Sequence, residues 1–241
     1  MLQQIIEEPR ECSYLPAERA RLEVRVMIDV TTIELEEMLS RGWRRFGPCY
    51  FRPACRACDE CVTLRVLSDR FAPSKSQRRA ARKGARLRRV VGRPIVDDAR
   101  LALYAKWHAD RESVRDWPAS EQSAERYSLD FAFPHPAARE VAFYDDAAGG
   151  KLVGLGLCDE TPHAMSAAFF FYDPDYAGDS LGVVNVVTLI DDAKQRGIPH
   201  VYLGYRVMGC ASLRYKAGYG PHELLVGRPE RDEATVWRPA D

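Results

Sequence analysis

Three cysteines stand at metal-ligand spacing in the first quarter of the chain. Cys55, Cys58 and Cys61 form a double C-x-x-C motif. Cysteines three residues apart can bind one ion, so the motif suits zinc or an iron–sulfur cluster. Three thiolates leave such a site one ligand short, and Cys12 or Cys49 could supply the fourth. The alternative is that these cysteines are small, partly buried residues of a tight loop.

A run of basic residues follows the cysteines. From Ser74 to Arg89 the chain contains no acidic residue, and its composition favours a helix as far as Gly84. The cations recur at spacings of three and four, which would place on one face of a helix Lys75, Arg78, Arg79, Arg82, Lys83 and Arg86. Such a face suits the phosphates of RNA or another polyanion. A merely solvated helix usually mixes both signs of charge, so we favour polyanion binding without recognition of bases.

Two later segments carry groups that suit anion or acyl binding. The segment from Phe169 to Gly182 leads from an apolar strand into a helix, and such a crossing offers free amide N–H groups. An ordinary loop, with Asp179 or Ser180 as the N-cap, is the alternative. The segment from Val201 to Glu223 combines tyrosines with cations, which suits a ligand that carries a carboxylate or a nucleotide. A tyrosine-rich edge of the core would show the same composition.

The overall composition limits the classes of protein that could carry these features. The chain has 241 residues, with 35 Lys+Arg against 35 Asp+Glu, so it is not a uniformly basic nucleic-acid binder. No stretch approaches the roughly 20 apolar residues of a membrane span. The N-terminus lacks the apolar segment of a signal peptide. We therefore expect a cytoplasmic protein whose cysteines are free, metal-bound or catalytic rather than disulfide-bonded.

The elements that must position these residues differ between the two halves. In the first half we predict strands at 22–28 and 62–67 and helices at 31–40, 74–84, 97–111 and 120–132. In the second half we predict strands at 140–144, 151–157, 165–172, 201–205 and 224–228, and a helix at 181–195. Two hairpin strands, a strand, a helix and a strand are the layout of GNAT acyltransferases. The loop pattern that binds coenzyme A in that fold is missing, so we expect a donor other than acetyl-coenzyme A.

An ordered set of motifs resembles bacterial aspartate/glutamate leucyltransferases, which belong with the arginyl-tRNA–protein transferases. The motifs are Cys12-Ser-Tyr-Leu-Pro, Gly42-Trp-Arg-Arg, Tyr50-Phe-Arg-Pro-x-Cys-x-x-Cys-x-x-Cys, Ser74-x-x-Gln-Arg-Arg-x-x-Arg-Lys, Phe170-Phe-Tyr-Asp-Pro-Asp-Tyr, Ser180-Leu-Gly, Tyr202-Leu-Gly-Tyr and Tyr215-Lys-Ala. They span nearly the whole chain in the family's order. No single motif is decisive, but the set is a strong signal.

The resemblance implies transfer of an aminoacyl group, leucine by first choice, from charged tRNA to the α-amine of proteins that begin with Asp or Glu. This transfer marks the acceptor for degradation. The implied fold is α+β, with an N-terminal family domain at residues 1–70, a basic helical segment at 71–135 and a GNAT-like C-terminal domain at 136–241. The implied partners are aminoacyl-tRNA and acidic protein N-termini, with neither membrane nor DNA. The alternatives are transfer of arginine, a non-catalytic RNA-binding module with a zinc-type cysteine cluster, and a coenzyme A-dependent N-acetyltransferase.

The reaction needs no covalent intermediate because the donor ester is already activated. We expect Asp173 to act as base or amine anchor, with Tyr172 and Tyr176 lining the site. The acidic acceptor residue would contact Arg45, Arg206, Lys216 and Tyr205. The tRNA would contact the backbone near Ser180 and Gly182 and the side chains of Arg78, Arg79, Arg82 and Lys83. A zinc or iron–sulfur site, if present, would use Cys12, Cys55, Cys58 and Cys61.

Several positions depart from the family's motifs. Leu15 stands where the eukaryotic branch, whose N-terminal cysteines are associated with zinc or iron–sulfur binding, has a second cysteine. Phe46 and Gly84 replace a small polar residue and an asparagine. Arg111-Glu replaces Arg-His, and Gly220-Pro-His-Glu replaces Arg-Pro-x-Glu. The last two changes leave the transferred amino acid and the acceptor open.

Overall fold

The computed structural model of the protein describes residues 1–115 and 122–240. The strands are β1 (Gln3–Ile6), β2 (Arg10–Glu11), β3 (Arg19–Ala20), β4 (Leu22–Val26), β5 (Arg44–Phe46), β6 (Cys49–Pro53), β7 (Val62–Leu67), β8 (Arg88–Gly92), β9 (Ala138–Asp145), β10 (Lys151–Glu160), β11 (Ala164–Tyr172), β12 (His200–Arg206), β13 (His222–Leu225) and β14 (Trp237–Pro239). The helices are α1 (Thr32–Ser40), α2 (Lys75–Gly84), α3 (Asp98–Arg115), α4 (Ala124–Phe131), α5 (Leu181–Gln195) and α6 (Ala211–Arg214). Turns of 3-10 helix lie at Ser68–Arg70, Asp146–Ala148, Pro174–Asp179 and Tyr215–Gly218.

An eight-stranded mixed sheet has the strand order β14-β13-β7-β12-β11-β10-β9-β8. Within it, β9, β10 and β11 form an antiparallel meander. α5 then follows, and β12 pairs in parallel with β11. This order confirms the predicted succession of two hairpin strands, a strand, a helix and a strand. The protein therefore has an α+β fold with a GNAT-like C-terminal half.

β11 and β12 part after only three residue pairs. Pairing runs from Ala164↔His200 to Ser166↔Tyr202, whereas both strands continue beyond these residues. On its other side, β12 changes register against β7 between Tyr202 and Gly204. Gly204 has a φ of 80°, which L side chains rarely adopt, so glycine permits this bulge. The facing backbone groups beyond Ser166 are left unpaired between the two strands, and a wedge opens there.

The N-terminal residues form a smaller sheet with the order β1-β4-β6-β5. Leu35 and Leu39 of α1 pack with Tyr50 of β6 and with Ala164 and Tyr202 of the central sheet. β7 lies within the central sheet, between β12 and β13. The N-terminal and C-terminal halves therefore share a core, and the division of the chain at residues 70 and 135 stays a prediction.

The basic helix α2 packs against α5 through its small residues. Ser74 and Gln77 form a capping box at its start. Ala80 and Gly84 are buried, whereas the Arg and Lys residues between them are exposed. A Cβ at Gly84 would lie 2.4 Å from a methyl carbon of Val184 on α5. The close contact of the two helices therefore requires glycine at this position, one of those that depart from the family's motifs.

The predicted helices are confirmed with small shifts of their ends. The helix predicted at 181–195 is α5, and Gly197 follows it with a φ of 68°. The helix predicted at 120–132 corresponds to α4, and residues 120–121 lie outside the described residues. The last predicted strand, at 224–228, lies slightly earlier in the structure as β13 (His222–Leu225), and β14 (Trp237–Pro239) is not among the predicted strands. Within the described residues, no helix is both long and apolar enough to cross a membrane.

Gly84→Val is expected to lower the free energy of unfolding by about 2–3 kcal/mol, because the new side chain overlaps Val184. Gly92→Val is the matched control, since nothing lies within 4 Å of a Cβ at that position. Urea denaturation measures both variants. Similar, small changes for the two substitutions would contradict the close contact between α2 and α5.

Candidate active site

The wedge between β11 and β12 opens into a cleft of about 390 Å³. The two parting strands supply part of its wall, from Ala167 to Phe170 and from Leu203 to Tyr205. The other lining residues come from α5, from the N-terminal half and from the segment after β12: Gly182, Asn185, Val186, Tyr14, Arg44, Phe46, Phe51, Leu213, Tyr215 and Lys216. Ligand pockets usually measure about 300–1,000 Å³, so the cleft can hold a small group such as an amino-acid residue.

Two cations bind backbone carbonyls that the parted strands leave unpaired. Arg44 donates through Nη2 to Ala167 O on β11, and through Nη1 to Ser166 Oγ at 2.8 Å. Lys216 Nζ donates to Tyr205 O on β12 at 3.1 Å. Each strand of the wedge therefore has one carbonyl oxygen that accepts a hydrogen bond from a positively charged side chain. Buried carbonyl oxygens need such donors, which accounts for the position of both side chains.

Arg44 and Lys216 converge on Gly204. A Cβ at Gly204 would lie 3.4 Å from Arg44 Cζ and 3.4 Å from Lys216 Nζ. Within residues 1–115 and 122–240, no carboxylate oxygen lies within 4.0 Å of the side-chain nitrogens of either residue. Only 8% of Arg44 is exposed. Lys216 is half-buried. Like charges partly removed from water, with no carboxylate of the described residues within 4.0 Å, are unfavourable, and this arrangement is typical of a site that binds an anion.

Burial, together with the charge of Arg44, lowers the pKa of Lys216 to about 7. Without a bound anion, the Lys216 amine therefore titrates near neutral pH. A carboxylate beside the two cations would favour the protonated amine and raise this pKa. Binding of an anion above pH 7 would then take up a proton, and the affinity would fall as the pH rises.

Another part of the cleft wall is aromatic. The ring centroid of Phe46 lies 5.8 Å from that of Phe169 and 5.7 Å from that of Phe51. Phe131 of α4 stacks on Phe169 with the centroids 5.2 Å apart. Ala167 and other small residues complete the apolar surface. Such a wall packs against an aliphatic side chain and offers no hydrogen-bond acceptor to a charged one.

The three residues predicted to carry catalysis do not line the cleft. Asp173 is 1% exposed and binds Lys106 Nζ at 2.6 Å and Lys151 Nζ at 2.7 Å. Burial alone would raise the pKa of the Asp173 carboxyl, but the hydrogen bonds from the two lysines hold it below its usual value. Tyr172 OH accepts a hydrogen bond from Arg111, and Tyr176 OH donates to Asp145. Their catalytic roles stay predictions that this geometry does not favour.

Of the residues predicted to bind the acceptor, Lys216 and Tyr205 line the cleft. Arg45 points elsewhere, because it forms an ion pair with Asp159 and donates to Gly47 O at 2.8 Å. Arg206 is half-buried and does not line the cleft. Sequence reasoning missed Arg44, although Gly42-Trp-Arg-Arg stood among the motifs. Neighbouring residues of a strand face opposite sides, and the sequence alone does not say which arginine faces inward.

The cations predicted to bind tRNA are exposed on α2: Arg78, Arg79, Arg82 and Lys83. None of them forms an ion pair with a carboxylate from the part of the chain that the structure describes. Arg86, predicted on the same face, instead binds Asp145 and Asp179 at 2.6 Å each. Ser180 is the N-cap of α5, where its φ of 58° is unusual for a residue with a side chain. Gly182, in the first turn of α5, lines the cleft.

Hydrogen bonds with Arg228 and Arg21 hold the loop that carries Cys55 and Cys58. Arg228 donates to the carbonyl oxygens of Cys55 and Cys58 at 2.8 and 2.7 Å, and Cys55 Sγ accepts from the N–H of Arg21 at 3.4 Å. Burial, with smaller effects of the neighbouring cysteines, raises the pKa of the Cys61 thiol to about 12. Among the described residues, no group of three or more Cys, His, Asp or Glu side chains could hold a metal ion. The predicted zinc or iron–sulfur site, with Cys12 as fourth ligand, is therefore not supported.

The strand order, the wedge and the cleft define a GNAT-like acyltransferase fold. The sequence profile "Arginine-tRNA-protein transferase, N terminus" matches residues 10–79, and the profile "Arginine-tRNA-protein transferase, C terminus" matches residues 99–226. The chain belongs to the arginine-tRNA-protein transferase family. The protein is accordingly an aminoacyltransferase, as the motifs predict.

Two relatives, both named aspartate/glutamate leucyltransferase, are similar over nearly their full length. The protein of Campylobacter jejuni is 34% identical over 233 residues, 94% of each chain. The protein of Pseudomonas putida is 33% identical over 227 residues, 92% of each chain. Among solved structures, the ribosomal-protein-S18-alanine N-acetyltransferase of Escherichia coli has a TM-score of 0.38 and 16% identity, covering 54% of this chain and 76% of that chain. This likeness is too distant to add to the fold assignment, which rests on the strand order.

Proposed function

We propose that the protein transfers leucine from leucyl-tRNA to the α-amine of proteins whose first residue is Asp or Glu. The observation that supports this acceptor class is the pair of cations, Arg44 and Lys216, that meet at Gly204 without a carboxylate partner among the described residues. The two relatives of the chain described above are named aspartate/glutamate leucyltransferase. Charged tRNA is a cytoplasmic substrate, so the reaction belongs in the cytoplasm, where the transfer marks its acceptor for degradation.

The acidic side chain of the acceptor binds between the two cations. A carboxylate has two oxygens and can accept from a guanidinium and an ammonium at once. Arg44 is fixed by Ser166 and by the carbonyl of Ala167, so its remaining donors are already oriented. Asparagine and glutamine have the same shapes but no charge. They would leave both cations without a counter-ion, so peptides that begin with these residues should bind more weakly.

The donor side chain packs on the aromatic wall that Phe46, Phe51 and Phe169 form. A leucyl group buries its apolar surface there at no electrostatic cost. An arginyl group would bring a third positive charge into a cleft that already holds Arg44 and Lys216, and like charges repel. The same cations that suit an acidic acceptor therefore favour leucine over arginine as the transferred residue.

The transfer is a direct attack of the acceptor amine on the aminoacyl ester. The amine nitrogen forms an amide bond with the leucyl carbonyl carbon, and the bond from that carbon to the ribose oxygen of tRNA breaks. The amine loses one proton and the ribose oxygen gains one. An α-amine titrates near pH 8, so a neutral nucleophile is available without a strong base. The positive potential of the cleft also stabilises the charge that develops on the ester oxygen.

A pool of charged, labelled tRNAs, incubated with peptides that begin with Asp or Asn, tests the proposal. We expect labelled leucine on the Asp peptide and little label on the Asn peptide. Lys216→Met should lower kcat/KM for the Asp peptide roughly 10- to 150-fold, the loss of a charged hydrogen bond. Lys194→Met is the control, because Lys194 also donates to a backbone carbonyl, that of Phe71, but does not line the cleft.

Each other outcome would contradict a different part of the proposal. Label from arginyl-tRNA would mean an arginyltransferase. Binding of tRNA without transfer to any peptide would mean a non-catalytic RNA-binding module. Transfer from labelled acetyl-coenzyme A would mean an N-acetyltransferase. Equal use of the Asp and Asn peptides would mean that the two cations do not select the acceptor.

The exposed cations of α2 bind the phosphates of the donor tRNA. Charge reversal of two of them, Arg78→Glu with Arg82→Glu, should weaken tRNA binding and reduce the slope of log K against log salt by about 1.5–2. Arg238→Glu is the control, because Arg238 is also exposed but lies on β14 at an edge of the central sheet. A filter-binding salt series measures the slopes. An unchanged slope in the α2 variant would mean that this helix does not bind the tRNA phosphates.

A further inference from the structure

A second cavity, of about 490 Å³, lies between α2, the start of α5 and the 3-10 turn Tyr215–Gly218. We call it the outer cavity. α2 and its N-cap contribute Ser74, Ser76, Gln77, Arg79, Ala80 and Lys83, and the other lining residues are Gly178, Ser180, Val183, Tyr215, Gly218 and Tyr219. Its volume is within the usual range of about 300–1,000 Å³ for ligand pockets, so it is large enough for a nucleotide.

The wall of the outer cavity combines two cations with an exposed aromatic ring. Arg79 and Lys83 are exposed, and neither pairs with a carboxylate of the described residues. Lys83 Nζ donates one hydrogen bond, to Gly178 O at 2.7 Å, so its other N–H donors are available. Tyr215 is 51% exposed, which leaves much of its surface accessible. Cations beside an aromatic face suit a phosphate that carries a base.

The outer cavity adjoins the cleft. Tyr215 lines both cavities. The first turn of α5 also lines both, with Gly182 in the cleft and with Ser180 and Val183 in the outer cavity. Lys216, the residue after Tyr215, lines the cleft. A ligand held on Tyr215 in the outer cavity is therefore next to the cations of the cleft.

We infer that the outer cavity binds the 3′-terminal nucleotide of the donor tRNA, with the adenine stacked on Tyr215 and its phosphate bound by Arg79 and Lys83. This inference rests on the proposed function, because the aminoacyl ester is attached to the ribose of that nucleotide. An adenosine seated on Tyr215 places its ester at the entrance of the cleft. Two consecutive residues then align the substrates, since Tyr215 holds the donor end and Lys216 holds the acceptor carboxylate.

The test compares uncharged tRNA with the same tRNA lacking its terminal adenosine, for the wild type and for Tyr215→Ala. Removal of the adenosine should weaken binding to the wild type about 5- to 150-fold, the usual effect of losing one stacked base. It should weaken binding to Tyr215→Ala much less, because the stacking partner is already gone and only the phosphate contacts of Arg79 and Lys83 are lost. Tyr215→Trp should restore the sensitivity to the adenosine. Tyr144→Ala is the matched control, because Tyr144 contacts Arg88 on the central sheet and lines neither cavity.

A loss of the same size in the wild type and in Tyr215→Ala would overturn the inference. Coenzyme A carries the same adenine and phosphate chemistry, so it is titrated as a competitor. Displacement of tRNA by coenzyme A at lower concentration than by the dinucleotide CpA would assign the cavity to a coenzyme instead. None of these measurements requires transfer. A protein that shows the adenosine effect but transfers no leucine would keep this site and refute the proposed function.

Discussion

The parting of β11 and β12 is the constraint on which the rest of the site depends. Parallel strands that separate leave carbonyl oxygens in the interior without partners, and each needs a donor. Arg44 and Lys216 supply those donors and, by doing so, bring two positive charges to one point at Gly204. Neutral donors would satisfy the same carbonyls. Two cations, unlike two neutral donors, also suit a negatively charged ligand, so the parting of the strands and the charge of the cleft are related.

The N-terminal half holds one of these cations in place. The guanidinium groups of Arg25 and Arg52 lie over the ring of Trp43, the neighbour of Arg44, with their Cζ atoms 4.3 and 4.8 Å from the ring centroid. Tyr205 OH on β12 donates to the carbonyl of Gly42 at 3.0 Å. The wedge in the C-terminal half is thus completed by a side chain from the N-terminal half. Neither half alone contains both cations of the cleft.

Much of the fold could be predicted from the sequence, because the helices and the C-terminal strands carry clear periodicity and capping residues. Short charged strands such as β8 could not, since their composition resembles a loop or a basic helix. Within the site, Lys216 was predicted from its place among tyrosines. Arg44 could not be told from Arg45, because only the packing of the strand decides which of them faces the cleft. The partners of Asp173, Lys106 and Lys151, are distant in sequence, so its ion pairs could not be predicted either.

Calorimetry of peptide binding tests most directly whether the two cations hold the acceptor carboxylate. A peptide that begins with Asp is titrated into the protein above pH 7, in buffers of different ionisation enthalpy, beside the same peptide with Asn first. We expect the Asp peptide to bind more tightly and to take up a proton, because its carboxylate raises the Lys216 pKa from about 7. Lys216→Met should abolish the uptake. Equal affinity for the two peptides, or binding of the Asp peptide without proton uptake in the wild type, would contradict this account.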